Sequence, residues 1–349
     1  MQKLVIKPVF WIAFLALAGL CISGVSPAEA ATKKTKARAT RSTSRSLYSP
    51  QRSLTRKATL ARARSIAMAR EMAATQLPRF KVDADGETVP DVRAAAAIIY
   101  DPETNQVLWE ENSQSQRSIA SITKMMTAVV FMENNPDLMQ PVTIERSDVF
   151  QASTTHLKAN DHVTTGDLLH LLLIASDNAA ARALARVSLA GFEAFIQRMN
   201  EKASELGLES THYADPSGLL SENVSSAYDL ARLITHVSGD DRIASIMRTP
   251  EYTVYSGRRA ITFRSTNHLL GRTDVDVRAG KTGFISKSGY CLATLLRLPQ
   301  SDQQVAVVVL GARSNAGRFM ETQNLFKWMS SKASALFATR TPALPVPVP

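Results

Sequence analysis

The chain has 349 residues, two cysteines and a formal net charge of +10. The charge belongs to one segment: 31–79 hold 13 Lys/Arg and the single acid Glu71, net +12, whereas 80–349 hold 26 basic and 29 acidic residues, net −3. The large part of the chain is therefore nearly neutral, and a generally basic, nucleic-acid-coating protein is excluded.

Residues 1–30 read as an export signal: Lys3 and Lys7 open it, Val9 to Val25 is an apolar run, and Ala28-Glu29-Ala30 is a small-x-small cleavage site. Bulky Leu20 argues against a lipoprotein use of Cys21. Lys33, Lys34 and Lys36 follow closely, which leaves an uncleaved N-terminal membrane anchor as the alternative. Either way the bulk of the chain is expected outside the cytoplasm, in the periplasmic space, with no nucleic acid as partner. Residues 31–85 read as a basic Ser/Ala/Arg-rich linker, disordered over Ala31 to Arg56 and able to form a short basic helix over Thr59 to Met72. It is either a solvated spacer or a loose contact to anionic lipid or wall polymer. With Cys21 removed, Cys291 is alone in an apolar run, so it is expected as a buried thiol without a disulfide.

Residues 86–338 suffice for one large domain or two interleaved ones. Arg93 to Tyr100 predicts a buried strand, Asp101 to Asn105 a turn, and Gln106 to Glu111 the return strand. Helix-spaced apolar residues cover 121–134, 166–175, 178–189, 191–207 and 226–238, with Gly207 a C-terminal stop and Ser226-Ala227-Tyr228-Asp229 an N-terminal cap. Val277 to Gly283, Tyr290 to Leu298 and Gln304 to Gly311 predict three more strands, and 317–336 a last helix with Phe319, Phe326 and Trp328. The pattern predicts an α+β fold: a five-stranded antiparallel sheet drawn from both ends, flanked by helices, with an inserted helical lobe. A Pro-rich tail, 339–349, follows.

Three short strings lie on the expected seam between sheet and lobe: Ser121-Ile122-Thr123-Lys124 at a helix start, Ser176-Asp177-Asn178 on a loop between helices, and Lys281-Thr282-Gly283 on an inner strand with ligand access. Each string alone is weak. Ser221-Glu222-Asn223, Ser265-Thr266-Asn267 and Lys287-Ser288-Gly289 are local rivals, and weight comes from order and context. A serine hydroxyl needs a neighbour to take its proton. Lys124, three residues on, shares a helix face with Ser121 and is flanked by Ile122 and Met125-Met126, which predicts burial. Burial and a second cation, Lys281, lower a lysine pKa and make it a usable base. Ser176 offers a hydroxyl for proton relay, Asn178 an amide for a substrate backbone, and Asp177 a structural acceptor. Lys281 and Thr282 offer a cation and a hydroxyl to a carboxylate, Gly283 a close backbone approach for ligand, and the N–H groups of Ser121 and Phe284 an oxyanion hole.

The trio SxxK, SxN and KTG in this order is the signature shared by serine β-lactamases and penicillin-binding proteins. Ala120 to Ala128 resembles the active-site helix of the low-molecular-mass penicillin-binding proteins, the serine D-alanyl-D-alanine carboxypeptidase and endopeptidase family. Gly280 to Phe284 with Ser288-Gly289-Tyr290 is similar to that family's third box and its loop, and selects Lys281 over Lys287. Asp215-Pro216-Ser217-Gly218-Leu219, followed by Ser225-Ser226-Ala227, and Arg264-Ser265-Thr266-Asn267-His268 resemble the penicillin-binding protein seven-type endopeptidases most. Gly311 to Arg318 looks like the carboxypeptidase stretch whose last arginine, here Arg318, binds a terminal carboxylate. The resemblance spans roughly 90–335 and implies a D,D-peptidase of peptidoglycan stem peptides that forms an acyl-serine, binds β-lactam antibiotics and needs no cofactor or metal. It mixes endopeptidase and carboxypeptidase marks, so that preference stays open.

The competing readings are a serine β-lactamase and a non-enzymatic wall-binding protein. The first lacks the Glu-x-x-Leu-Asn string that class A enzymes use for deacylation, and the second leaves the ordered strings unexplained. A metallopeptidase is disfavoured because His156, His162, His170, His212, His236 and His268 show no His-Glu-x-x-His spacing.

Overall fold

The computed structural model describes residues 58–66, 69, 73, 77–189, 191–299 and 301–338. The expected export signal, the Ala31 to Arg56 segment, Cys21 and the Pro-rich tail lie outside the described residues. Among those described, no helix is long and apolar enough to cross a membrane. Residues 58–66 are helical, overlapping the Thr59 to Met72 segment expected to form a short basic helix.

Five antiparallel strands form the central sheet, in the order Asp276–Ile285, Gly289–Arg297, Gln304–Ala312, Ala96–Asp101, Gln106–Glu111. Both ends of the domain meet in its middle, where Val308 pairs with Ile98. Successive side chains alternate between faces. Ile98, Tyr100, Ala306, Val308 and Leu310 join the core of the helical lobe. Their neighbours Ile99, Val305, Val307 and Val309 pack with Phe319, Leu325, Phe326 and Met329 of the last helix, Asn315–Ala338. The first strand starts at Ala96 rather than Arg93 because the Arg93 and Ala94 N–H groups donate to the Glu321 carboxylate.

Phe80–Val82, within the expected linker, pairs with Thr88–Pro90 just beyond it, and Trp328 Nε1 donates to the Thr88 carbonyl at 2.9 Å. A second hairpin, Glu251–Ser256 with Arg259–Arg264, was not apparent in the sequence; Gly257 takes its turn at φ +57°.

The lobe contains the helices Lys124–Met132, Thr165–His170, Asn178–Val187, Phe192–Glu205, Ala227–Ser238 and Asp241–Met247. All nine residues of Lys124–Met132 are buried, so this helix is apolar-packed on every side and shows no amphipathic stripe. Ser226 caps its helix by accepting from Asp229 N, and Gly207 ends the preceding one at φ +62°. The expected helix 166–175 splits: its last turn, Leu171–Ala175, widens to π geometry and delivers Ser176 into a left-handed turn at φ +60°. The strand carrying Lys281 is the edge strand of the sheet, not an inner one.

Candidate active site

Ser121 sits in a 3-10 turn, Ala120–Thr123, that leads into the buried Lys124–Met132 helix. Two glycines clamp this turn. A Cβ on Gly218, whose φ is +79°, would lie 2.1 Å from the Ala120 carbonyl oxygen and 2.9 Å from Ser121 N. A Cβ on Gly283 would lie 2.6 Å from the Ile119 carbonyl oxygen and 3.2 Å from Ile122. The missing side chain of Gly283 thus admits the Ser121 turn against the strand, a use beside the close ligand approach expected of it.

Lys124 is fully buried. Its Nζ lies 2.9 Å from Ser121 Oγ, 2.6 Å from Asn178 Oδ1 and 2.5 Å from the Ser217 carbonyl oxygen. Burial lowers its pKa to about 7; Asp215 and Asp177 push back upward, and Arg182 pushes down. The lowering thus comes first from desolvation, with Arg182 a cation that adds to it. Lys281, also buried, is itself driven well below the ordinary lysine range by desolvation, then by Lys124 and Arg318.

The second string supplies a turn and a brace. Asp177 caps the Asn178–Val187 helix through Ala180 N and also accepts from His156 N at 2.6 Å. Asn178 uses its amide within the protein, accepting from Lys124 and donating to the Ala152 carbonyl at 2.7 Å. One N–H and one lone pair of the amide stay outside these bonds, and Asn178 lines the cleft where a substrate backbone is expected. Ser176 Oγ accepts from Lys281 Nζ at 2.7 Å, which joins the second and third strings directly.

Lys281 also donates to the Thr282 carbonyl at 3.0 Å, and Thr282 Oγ1 is 2.6 Å from Thr266 Oγ1. The Phe284 ring is half exposed and stacks on Tyr290, with centroids 4.2 Å apart. Ser121, Ser176, Asn178, Thr282, Gly283, Phe284 and Arg318 all line one cleft of about 550 Å³. Lys124 and Lys281 stand behind its wall, in contact with the two serines. Lys287, the rival lysine, lies outside the cleft lining, in the turn between the first two strands of the sheet order.

Arg318 is buried, with no carboxylate paired to it among the described residues. Its Nη1 donates to the carbonyls of Gly283 at 3.0 Å and Cys291 at 3.1 Å, while Nε has no partner. The guanidinium lies over the Phe319 and Tyr290 rings, 4.9 and 5.6 Å from their centroids. Burial lowers its pKa to about 10, against upward pushes from Cys291 and Tyr290. Cys291 is a buried free thiol.

The loop after residue 214 is the part of the site to which the sequence reading assigned no role. The Asp215 carboxylate accepts from Ser217 N and Oγ, Gly218 N, Leu220 N and Asn223 Nδ2. Burial opposes its charge, yet these bonds hold its pKa below the ordinary aspartate value. The loop so ordered presents the Ser217 carbonyl to Lys124 and the Pro216 carbonyl to Thr127. A carbonyl carries no residue identity, so only the Asp-Pro-Ser-Gly string hinted at it.

The profile of the family described as D-alanyl-D-alanine carboxypeptidase, a serine peptidase family, matches residues 83–314. A D-alanyl-D-alanine endopeptidase of Escherichia coli K12 is 32% identical over 246 residues, covering 69% of this chain and 79% of that one. Its Haemophilus influenzae counterpart is 35% identical over 233 residues, 66% of this chain and 80% of that one. A D-alanyl-D-alanine carboxypeptidase of Escherichia coli K12 is 33% identical over 256 residues, 68% of this chain and 63% of that one. Among solved structures, the Streptomyces K15 DD-transpeptidase superposes with a TM-score of 0.64 at 27% identity, covering 69% of this chain and 98% of that one. Penicillin-binding protein D2 of Listeria monocytogenes, in its cefotaxime-bound form, gives 0.61 at 27% identity, over 68% and 97%. A serine–lysine pair at the seam of an antiparallel sheet and a helical lobe, in a chain with these relatives, is that of a serine D,D-peptidase: the protein belongs to the D-alanyl-D-alanine carboxypeptidase family, among the low-molecular-mass penicillin-binding proteins.

Proposed function

We propose that Ser121 is the nucleophile and Lys124 the base of a peptidase that opens D-Ala-containing bonds of peptidoglycan stem peptides, and that β-lactams acylate the same serine. One arrangement carries this reading. A neutral amine has two hydrogens and one lone pair. Two neighbours of Lys124 Nζ, the Ser217 carbonyl and Asn178 Oδ1, only accept, so they take the two hydrogens. The third neighbour is the Ser121 hydroxyl, which the lone pair then faces at 2.9 Å. A pKa of about 7 keeps much of the amine neutral near pH 7.

In this reaction Ser121 Oγ bonds to the carbonyl carbon of the penultimate D-Ala while its proton passes to Lys124. The oxyanion is received by the N–H groups of Ser121 and Phe284. The proton held by Lys124 then passes, with Ser176 as relay, to the departing amine as the peptide bond breaks, which leaves Lys124 neutral again, while Lys281 holds the Ser176 hydroxyl in place. Water then attacks the acyl-serine carbonyl and gives its proton to the neutral Lys124, which hands it to Ser121 Oγ as the ester bond breaks, releasing the acid and restoring the serine. Thr282 and Arg318, which line the cleft, face the carboxylate of the leaving residue, with Lys281 behind them. We infer that the chain works outside the cytoplasm, carried there by residues 1–30, and that its basic segment makes at most loose contact with wall or membrane anions.

The decisive experiment digests purified cross-linked and uncross-linked muropeptides and identifies products by mass. Cleaved cross-bridges or shortened stems are expected from wild type and neither from Ser121→Ala. Equal turnover by that variant would refute the assignment.

A further inference from the structure

Thr266 lies outside the three strings, yet it joins two of them. Its hydroxyl is 2.6 Å from that of Thr282, on the edge strand. Its backbone N–H donates at 3.1 Å to the carbonyl of Ile174, in the π turn that ends at Ser176. Thr282 is buried apart from its cleft-facing atoms, and both threonines line the cleft. Either oxygen can be the donor of this bond, so its direction is set by what else the pair meets.

We propose that Thr266 is a positioning residue that makes the site selective for a leaving group ending in a free carboxylate, by fixing the Thr282 hydroxyl as a donor. The inference rests on the reading above in which Thr282 meets that carboxylate. A carboxylate has no hydrogen to give, so the Thr282 O–H must point at it. The Thr282 oxygen is then left as an acceptor, and Thr266 O–H fills that place. Hydroxyls chained in one direction polarise one another and strengthen the terminal donor. A terminal amide carries N–H groups as well as an oxygen. Thr282 then accepts as readily as it donates, and the aligned chain confers no advantage. Thr266 therefore acts on acid-terminated substrates and leaves amide-terminated ones alone. Its backbone anchor to Ile174 holds the side chain in place without help from the ligand.

The test compares kcat/KM for one D-Ala-D-Ala peptide with a free terminal carboxylate and with a terminal amide, in wild type, Thr266→Val, Thr266→Ser, Thr266→Ala and Thr282→Ala. Thr266→Val is expected to lose about tenfold on the acid, mainly in KM, and less than about twofold on the amide, the scale of weakening one hydrogen bond to a charged group. Thr266→Ser, which keeps the hydroxyl, is expected to retain the wild-type acid-to-amide ratio. Thr266→Ala carries the same expectation as the valine variant should the extra methyl disturb folding. If Thr282→Ala lowers the ratio while Thr266→Val and Thr266→Ala leave it unchanged, the positioning role is wrong and the carboxylate reading stands. If Thr282→Ala itself leaves the ratio unchanged, the underlying reading of Thr282 is wrong. A serine variant as impaired as the valine one would also overturn the proposal, since it would remove the hydroxyl as the cause.

Discussion

Lys124 Nζ approaches the Ser217 carbonyl oxygen to 2.5 Å, closer than its 2.9 Å separation from the Ser121 hydroxyl. The base is thus aimed by backbone from a loop ninety-odd residues away, not by its own helix alone.

Penicillin acylation should therefore rise with pH. The folded pKa of Lys124 is lowered to about 7, and only the neutral amine accepts a proton. The rate should climb through about pH 7 and level off above it. Lys124→Arg stays protonated throughout, so acylation should fall by about 10² or more, measured as adduct formation by intact mass. Near wild-type acylation by this variant would move the base to Ser176 or Lys281.

Asp215→Asn should shift that profile to lower pH, because the Asp215 charge raises the Lys124 pKa and its loss removes that push. The same variant should lose about 1–3 kcal/mol of stability, the scale of disrupting a buried hydrogen-bonded group. Since the folded Asp215 pKa is depressed, its contribution to stability is present above the unfolded aspartate pKa and disappears as pH falls through the folded value. Chemical denaturation at neutral and acid pH, with the acylation profile, checks both. An unshifted profile would mean that Asp215 only orders the loop.

Gly218→Ala should abolish acylation. Its Cβ would meet the Ala120 carbonyl and Ser121 N, both backbone atoms that cannot swing aside. A non-glycine at φ +79° adds strain of about 1–3 kcal/mol. Thermal melting and adduct mass read the two effects, and a wild-type melt with full acylation would contradict the clamp.

Arg318→Ala should impair release of a terminal D-Ala by about 1.5–3 kcal/mol, the range for hydrogen bonds to charged groups. Cross-bridge cleavage should suffer less if Lys281 and Thr282 share the carboxylate. The variant should also melt lower, since the Gly283 and Cys291 carbonyls lose their donor. Equal losses on both muropeptides would show that Arg318 does not discriminate between them, and loss of stability alone would confine it to bracing the edge strand.

Much of this site was legible because its chemistry resides in side chains. Ser121 and Lys124 stand three apart, and the apolar flank of Lys124 announced its burial. The strands with unbroken apolar runs were found within a few residues, because burial on both faces leaves no polar alternation to confuse. What stayed hidden is carried by backbone or by shape. The Ser217 carbonyl and the Asp215 turn have no residue code of their own. Gly283 looked like a ligand approach, and only the packed structure shows which neighbour occupies its vacant side. The split of 166–175 into α and π turns leaves the apolar spacing almost unchanged, so periodicity does not detect it. The Glu251–Arg264 hairpin has mostly exposed or half-exposed residues and gives no strong pattern.

The strand Gln304–Ala312 lies between Ala96–Asp101 and Gly289–Arg297. The hairpin of Ala96–Asp101 and Gln106–Glu111, made early in synthesis, therefore has no further sheet neighbour to pair with until residues near the far end have emerged. Closing so long a separation is slow, and the helical lobe has time to form ahead of it. Lys281, on the outermost strand, depends on that closure to reach Ser176. On the proposed chemistry, an incompletely paired chain would hold Ser121 and Lys124 without Lys281 beside Ser176, so covalent capture by a β-lactam is expected to lag the closure of the sheet.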